Sequence, residues 1–203
     1  MATKLETEIK LRVDDLPDML RRLRRMGARD HGRVFEQNTI YDTPEQDFRS
    51  HHRLIRLRVE IAENGRSEAK LTSKAPADRP QSHRRSKNYT RRHKENIECE
   101  IEVRDAALTA RLLEKAGLRP SFRYEKYRTS FRLGGLHLDL DETPIGTFLE
   151  IEGRPAAIDR AARELGHTPT DYIRATYGDL YAADCRRTRH KPKNMIFSPK
   201  NRR

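Results

Sequence analysis

Residues 6–13, Glu-Thr-Glu-Ile-Lys-Leu-Arg-Val, alternate without a slip. Glu6, Glu8, Lys10 and Arg12 fall on one side of an extended chain, and Thr7, Ile9, Leu11 and Val13 on the other. A period of two specifies a strand. The pattern returns along the chain. Arg56, Arg58 and Glu60 alternate with Ile55, Leu57, Val59 and Ile61, and Lys70, Thr72 and Lys74 share one side of the next segment. Lys94, Asn96, Glu98, Glu100 and Glu102 oppose Ile97, Cys99, Ile101 and Val103. Lys126, Arg128 and Arg132 are in phase over 124–133, as are Asp139 with Asp141 and Glu150 with Glu152. With a further strand at 34–42, the strands number at least seven, charged on one face and apolar on the other.

Few folds accommodate such a sheet. Its apolar face needs a cover, and helices supply one. Leu16, Met19, Leu20, Leu23 and Met26 recur at helical spacing between a capping Asp14 or Asp15 and a stopping Gly27. A second helix begins at Asp105 with Leu108, Leu112, Leu113 and Ala116 on its apolar side, and stops at Gly117. Others are expected over about 156–166 and 171–183. The charged face must meet water or itself. About eight antiparallel strands can close into a barrel, which removes the sheet edges and gathers the charges into a lumen. The expected class is therefore α+β: a closed antiparallel eight-stranded β-barrel, a tunnel with a charged lumen and helices packed outside.

The composition fits such an interior. Hydrophobic residues make up 34% of the 203-residue chain and charged residues 36%, a poor supply for an ordinary core. The net charge of +12 implies an anionic partner. No run is long and apolar enough to cross a bilayer and no signal peptide opens the chain, so no membrane role is expected. The two cysteines, Cys99 and Cys185, suggest neither a disulfide nor a zinc site, and a reducing, cytoplasmic setting. Residues 1–184 form the expected domain. Residues 185–203, basic and without periodicity, are expected to be a disordered tail, and the basic loop 79–94 to be mobile.

The charges are sorted by sign. Carboxylates dominate at Glu6 and Glu8, at Asp139 and Asp141, and at Glu150 and Glu152; cations dominate at Arg56 and Arg58, Lys70 and Lys74, Lys126 and Arg128. A solvated face would mix them. Carboxylates two apart on one strand converge, and two such pairs offer an oxygen-rich site for a hard cation such as Mg²⁺ or Mn²⁺. Lys and Arg beside them suit phosphate oxygens. The combination suggests a polyphosphate clamped along a lumen. The eight histidines show no metal-ligand spacing, and Tyr172, Tyr177 and Tyr181 read as helix packing.

Glu6-Thr-Glu8-Ile-Lys10 resembles the ExExK signature of the CYTH, or triphosphate tunnel metalloenzyme, superfamily. The likeness continues in order through Leu54-Ile-Arg56-Leu-Arg58, Leu71-Thr-Ser-Lys74, Glu125-Lys126-Tyr-Arg128, Leu140-Asp141-Glu142 and Gly146-Thr-Phe-Leu-Glu150-Ile-Glu152. The resemblance implies action on triphosphates with Mg²⁺ or Mn²⁺. Glu6, Glu8, Glu150 and Glu152 would hold metal, with Asp141 nearby. Lys10, Arg56, Arg58, Lys74, Lys126 and Arg128 would bind phosphate. Tyr41 would work with Lys10 to position the attacking water. Where many members have Arg-Glu-Glu-Ile-Glu, this chain has Lys94-Glu95-Asn96-Ile97-Glu98. Lys94 can still bind phosphate; Glu98 is open between a structural role, a metal-shell role and a general base.

The resemblance leaves two reactions, hydrolysis releasing orthophosphate and class IV adenylyl cyclisation of ATP to cyclic AMP and pyrophosphate. Residues 37–44 look more like the triphosphatase branch, which puts hydrolysis first. A non-catalytic polyphosphate or RNA binder is a third possibility, favoured by the basic loop and tail and opposed by the scarcity of aromatics. Truncation of residues 186–203 is expected to spare the hydrolysis of a small triphosphate. A homodimer is plausible by resemblance.

Overall fold

A computed structural model describes residues 2–77 and 92–198. Eight strands close into an antiparallel barrel: β1 (Ala2–Val13), β2 (Arg29–Asp42), β3 (Leu54–Ala62), β4 (Ser67–Pro76), β5 (Lys94–Val103), β6 (Arg119–Leu133), β7 (Leu136–Thr143) and β8 (Gly146–Glu152). Their order around the barrel is β1-β5-β4-β3-β2-β6-β7-β8, with β8 returning to β1. The helices are α1 (Leu16–Arg25), α2 (Asp47–Ser50), α3 (Ala106–Lys115), α4 (Pro155–Glu164) and α5 (Tyr177–Thr188). None among the described residues is long and apolar enough to cross a membrane. Most of the basic loop expected at 79–94 lies outside the described residues; Lys94 itself opens β5.

The alternation read from the sequence is the in-and-out alternation of the barrel wall. Ile9, Leu11 and Val13 of β1, Leu136, Leu138 and Leu140 of β7, and Leu149 and Ile151 of β8 point outward. They form one buried cluster with Met19 and Leu23 of α1 and Ile158, Ala161 and Leu165 of α4. Asp15 caps α1 by accepting from the Asp18 amide at 2.8 Å. α1, α3 and α4 end alike: Gly27, Gly117 and Gly166 take positive φ, and the next residue's amide bonds back to the carbonyl of Leu23, Leu113 or Ala162. α3 departs from expectation. None of its residues is buried, and Leu108 and Leu112 are 51% and 61% exposed. Its apolar stripe is not spent on the barrel.

The C-terminal chain differs most from the sequence reading. The helix expected at 171–183 begins instead at Tyr177, capped by a reciprocal Thr176–Asp179 pair, and runs to Thr188, with Cys185 buried within it. β7 pairs with β6 only from Tyr127 onward, which leaves the edge of β6 before that point open. The segment expected to be a disordered tail fills this gap. The Met195 amide donates to the Arg123 carbonyl and the Glu125 amide to the Met195 carbonyl, both at 2.9 Å. Phe197 lies 5.3 Å from the Tyr127 ring. Met195 is 1% exposed and packs with Tyr124, Phe148 and Tyr177. Unpaired backbone groups and a buried methionine explain the order that composition hid. We therefore expect Met195→Ala to cost about 2–5 kcal/mol, read as a lower midpoint in urea. Truncation after residue 188 should lower stability at least as much, rather than be neutral.

Candidate active site

The barrel order sorts the charges into two walls. β7, β8, β1 and β5 are contiguous and bring Asp139, Glu150, Glu152, Glu6, Glu8, Glu98 and Glu100 to one side of the lumen. β4, β3, β2 and β6 are contiguous and bring Lys70, Lys74, Arg56, Arg58, Lys126 and Arg128 to the other. The walls enclose a cavity of about 320 Å³. Each wall carries charges of the other sign that hold it together: Lys4, Lys10 and Lys94 in the acidic wall, Glu36 and Glu60 in the basic one. Nine Lys or Arg and nine Asp or Glu line the cavity. A bare polyanion entering this lumen meets as much repulsion as attraction, whereas one arriving with compensating cations does not.

In the basic wall, Arg58 contacts Glu36 at 3.3 Å and Glu60 at 3.0 Å, and Lys70 reaches Glu60 at 2.9 Å. Arg56 donates to the Tyr124 hydroxyl and to Thr72, each at 3.4 Å. Lys126 is held between Asp141 at 2.8 Å and Glu36 at 3.4 Å. Burial alone would raise the Glu36 carboxyl, but Arg58, Lys126, Arg128 and Arg56 press it far below the usual range. Arg128 makes the densest set: Asp139 at 2.7 Å, Asp141 through two nitrogens at 2.7 and 2.6 Å, and Glu150. These contacts preorganise a cation array that would be costly to assemble on binding.

In the acidic wall, Lys74 bonds both Glu6 oxygens at 2.7 Å and approaches Glu98 at 3.3 Å. Lys94 bonds Glu8, Lys4 bonds Glu152 and Lys10 bonds Glu150, each at 2.9 Å. Burial tends to lower the Lys10 ammonium, but Glu150 and Glu8 outweigh it and hold the pKa above normal. Lys10 is thus a cation at neutral pH and no base. Glu6 goes the other way. Its burial, with Glu8 and Glu98 beside it, raises its carboxyl despite the contact with Lys74.

The donors fit Mg²⁺ or Mn²⁺ in kind: Glu6, Glu8, Glu150 and Glu152 are hard oxygen ligands, Glu8 and Glu152 sit directly opposite in register, and Glu98 adjoins Glu6. Lysine ammoniums now stand between them. Among the described residues no three acidic, His or Cys side chains converge on one point, so binding would replace some of these ion pairs.

Two candidates are placed otherwise than the sequence suggested. Asp141 is 0% exposed, and its oxygens accept from Lys126, Arg128 and Tyr177. It anchors cations behind the lumen wall and does not line the cavity. Tyr41 is buried but absent from the lining; its neighbours are Glu114 beyond α3's middle and the outward Arg123. It does not meet Lys10. β2 pairs with β3 in unbroken register from Val34 to Tyr41, so Tyr41 falls in the phase opposite to the lumen-lining Val34 and Glu36. The remaining candidates, Glu6, Glu8, Lys10, Arg56, Arg58, Lys74, Lys94, Glu98, Lys126, Arg128, Glu150 and Glu152, all line the cavity.

Among the lining residues that escaped the sequence reading are Glu36, Tyr124 and Tyr177, as well as His31 and His137. Phe35-Glu36-Gln37-Asn38-Thr39 has polar groups in both phases, so the period gave no inward face there. Tyr124 lay in phase with Lys126 and Arg128 and was legible. Nothing in the sequence around Tyr177 says that a helix start enters a barrel.

The acidic wall has a pH signature. Asp139 accepts from Ser130 at 2.7 Å and pairs with Arg128 and His137. Burial opposes its ionisation, but Arg128 and His137 lower the pKa to about 2. A depressed carboxylate contributes stability above its unfolded pKa, and that contribution is lost as pH falls through the folded value. Asp139→Asn should therefore be less stable than the parent at pH 7, with the two converging as pH falls from about 4 to about 2, read from denaturant midpoints.

The model of the CYTH domain matches residues 4–177. The chain belongs to the CYTH family. Solved structures share the CYTH barrel. A Vibrio parahaemolyticus protein described as an adenylate cyclase candidate is 18% identical with a TM-score of 0.73, over 89% of this chain and 99% of that one. A Pyrococcus horikoshii protein is 23% identical with a TM-score of 0.72, over 88% and 99%. A Hippeastrum protein, described as an adenylyl cyclase candidate with a dominant triphosphatase activity, is 17% identical with a TM-score of 0.61, over 98% and 100%. Comparison with curated protein sequences gives no significant match.

Proposed function

We propose that this CYTH protein hydrolyses a triphosphate, with inorganic triphosphate as the preferred substrate and Mg²⁺ or Mn²⁺ as the cofactor. The observation that carries the reading is the two-walled lumen, cation array against carboxylate array, in a cavity sized for a small ligand. The preference rests on the cavity's ends. One end is filled by Tyr177, Tyr124, Phe148 and Met195. At the other, the strand termini bring together Lys4, His31, Glu60, Lys70, His137 and Glu152. Among the described residues this mouth has no Phe, Tyr or Trp for a nucleobase or thiamine ring to stack on. The two lining tyrosines are engaged: Tyr124 with Arg56 and the Phe122 ring, Tyr177 with Asp141.

In this reading Arg56, Arg58, Lys74, Lys94, Lys126 and Arg128 hold the phosphate oxygens, and their fixed charges stabilise the phosphoryl group in flight. A divalent ion bound at Glu6, Glu8, Glu150 and Glu152 would supply further neutralisation of the phosphate charge. Water forms a bond to the terminal phosphorus while the bond from that phosphorus to the bridging oxygen breaks. Orthophosphate and pyrophosphate result. Lys10 stays protonated and serves as an electrostatic clamp. One water proton stays with orthophosphate, and the carboxylates of the acidic wall, Glu98 among them, are placed to receive the other. Phosphoryl transfer through a loose transition state asks for little more than this positioning.

Cyclisation of ATP is the second reading, favoured by the description of the Vibrio neighbour. It requires the nucleoside at the charged mouth. The test is a rate comparison of inorganic triphosphate, ATP and thiamine triphosphate with each metal. A higher kcat/KM for inorganic triphosphate is expected; a clear preference for either organic triphosphate would overturn the assignment of substrate.

A further inference from the structure

Tyr177 is the first residue of α5, yet its side chain is buried against the barrel lumen. Its hydroxyl donates to Asp141 at 2.6 Å, and Asp141 in turn accepts from Lys126 and Arg128. Its ring lies beneath two ammonium groups: the Lys10 nitrogen is 4.8 Å from the ring centroid and the Lys126 nitrogen 5.1 Å. Desolvated cations at such distances are drawn to the ring face. One side chain therefore touches, directly or through Asp141, three of the candidate phosphate-binding cations. Those three come from β1 and β6, on opposite walls.

We infer that Tyr177 is a positioning residue of the triphosphate site, its hydroxyl fixing Asp141 and its ring seating Lys10 and Lys126 at the closed end of the lumen. The inference rests on the triphosphate reading of this cavity. Its origin in the C-terminal helix makes α5 part of the site. The phenol acts as a donor and not as a base, because burial with Asp141 and Glu150 alongside raises its pKa well above normal. The helix is held in place by the same buried cluster that holds Met195, and by the bridge in which Lys10 and Ile173 exchange backbone hydrogen bonds at 3.2 and 2.8 Å. The chain on either side of Tyr177 is thereby stitched to β1 and β6, the strands that carry the lysines it seats.

The test compares Tyr177→Phe, which keeps the ring, with Tyr177→Leu, which removes ring and hydroxyl. The first readout is the rate at which an amine-acetylating reagent modifies each lysine in the metal-free protein, measured peptide by peptide. In Tyr177→Leu, modification of Lys10 and Lys126 should rise by about tenfold or more while Lys70 and Lys94 stay at parent levels; in Tyr177→Phe the rise should be smaller. The second readout is inorganic triphosphate hydrolysis. Tyr177→Phe should lower kcat by about 10- to 100-fold, as loss of a supporting hydrogen bond does elsewhere, with KM nearly unchanged. Tyr177→Leu should lower kcat and raise KM. Unchanged reactivity of Lys10 and Lys126 in Tyr177→Leu would overturn the inference. So would an equal rise at all four lysines, which marks general loosening, and so would parent kcat in Tyr177→Phe. A parent protein that turns over no triphosphate would overturn the hydrolytic reading, and the acetylation pattern would still decide the role of Tyr177.

Discussion

Replacing Glu6 and Glu8 together by glutamine should abolish metal-dependent turnover and leave the fold intact. The two carboxylates adjoin Glu98 and Glu152 in the acidic wall, and an amide offers a hard cation an oxygen but not the negative charge. A loss of at least about a thousandfold in kcat/KM is expected, on the order of 4 kcal/mol of transition-state stabilisation. The structural cost should be small because the two positions pull in opposite directions. Glu6 is a strained anion, its pKa raised by burial and by Glu8 and Glu98. A carboxylate with a raised pKa loses stability as pH rises from its unfolded value through its folded one, so at pH 7 a neutral side chain there offsets part of what Lys74 loses with its partner. Glu8 is lowered: burial opposes its charge, but Lys94, Lys10 and Lys74 together outweigh it, so its loss costs something. The thermal midpoint of the double variant should lie within about 4 °C of the parent. Full activity in a folded double variant would remove these residues from the site.

The opposite pattern is expected at Arg128. Its guanidinium joins Asp139, Asp141 and Glu150 and approaches Glu36 at 3.5 Å. Removing it leaves buried carboxylates without their main counter-charge. Breaking a buried ion network by deleting one partner costs about 3–5 kcal/mol. For a chain of this size that is a thermal midpoint lower by about 10 °C or more. Arg128→Ala should thus lose stability and activity together, whereas the Glu6 and Glu8 change loses activity alone. Arg128→Lys keeps the charge but not the planar fork that serves several carboxylates at once, and should fall between. A parent-like midpoint in Arg128→Ala would show that the network contributes little to stability.

The barrel was legible because its alternation is strict where both faces are under demand. In β1, β3, β5 and β8 an outward slip would expose Ile or Leu and bury a charge against the helices, and the sequence admits no such slip. Beyond the hairpins turning at Asn64-Gly65 and Gly134-Gly135, the order of the strands around the barrel was not legible. Yet it is the barrel order that turns scattered acidic and basic pairs into two walls. Phase on the regular strands was enough to tell which candidates face the lumen, as at Glu6, Glu8 and Lys10 of β1 and at Arg56 and Arg58 of β3. Tyr41 was assigned by resemblance, and it stands outside the lumen because it falls in the opposite phase of β2 from Val34 and Glu36. Asp141 was read by phase and by resemblance, and neither can tell a side chain that lines a lumen from one enclosed by Lys126, Arg128 and Tyr177. The C-terminal segment failed for a different reason. Its composition is that of a solvated tail, and its order comes from one buried methionine and from backbone groups that an open edge of β6 leaves to be paired. Neither has a local sequence signal.

The central claim, that the two walls clamp a triphosphate for attack by water, is tested most directly by separating the products. The purified protein would be incubated with inorganic triphosphate and, separately, with ATP, each with and without Mg²⁺ or Mn²⁺. The account expects orthophosphate and pyrophosphate in equal amounts from inorganic triphosphate, only when a divalent ion is present, and no cyclic AMP from ATP. Cyclic AMP with pyrophosphate from ATP, and no orthophosphate from inorganic triphosphate, would contradict it.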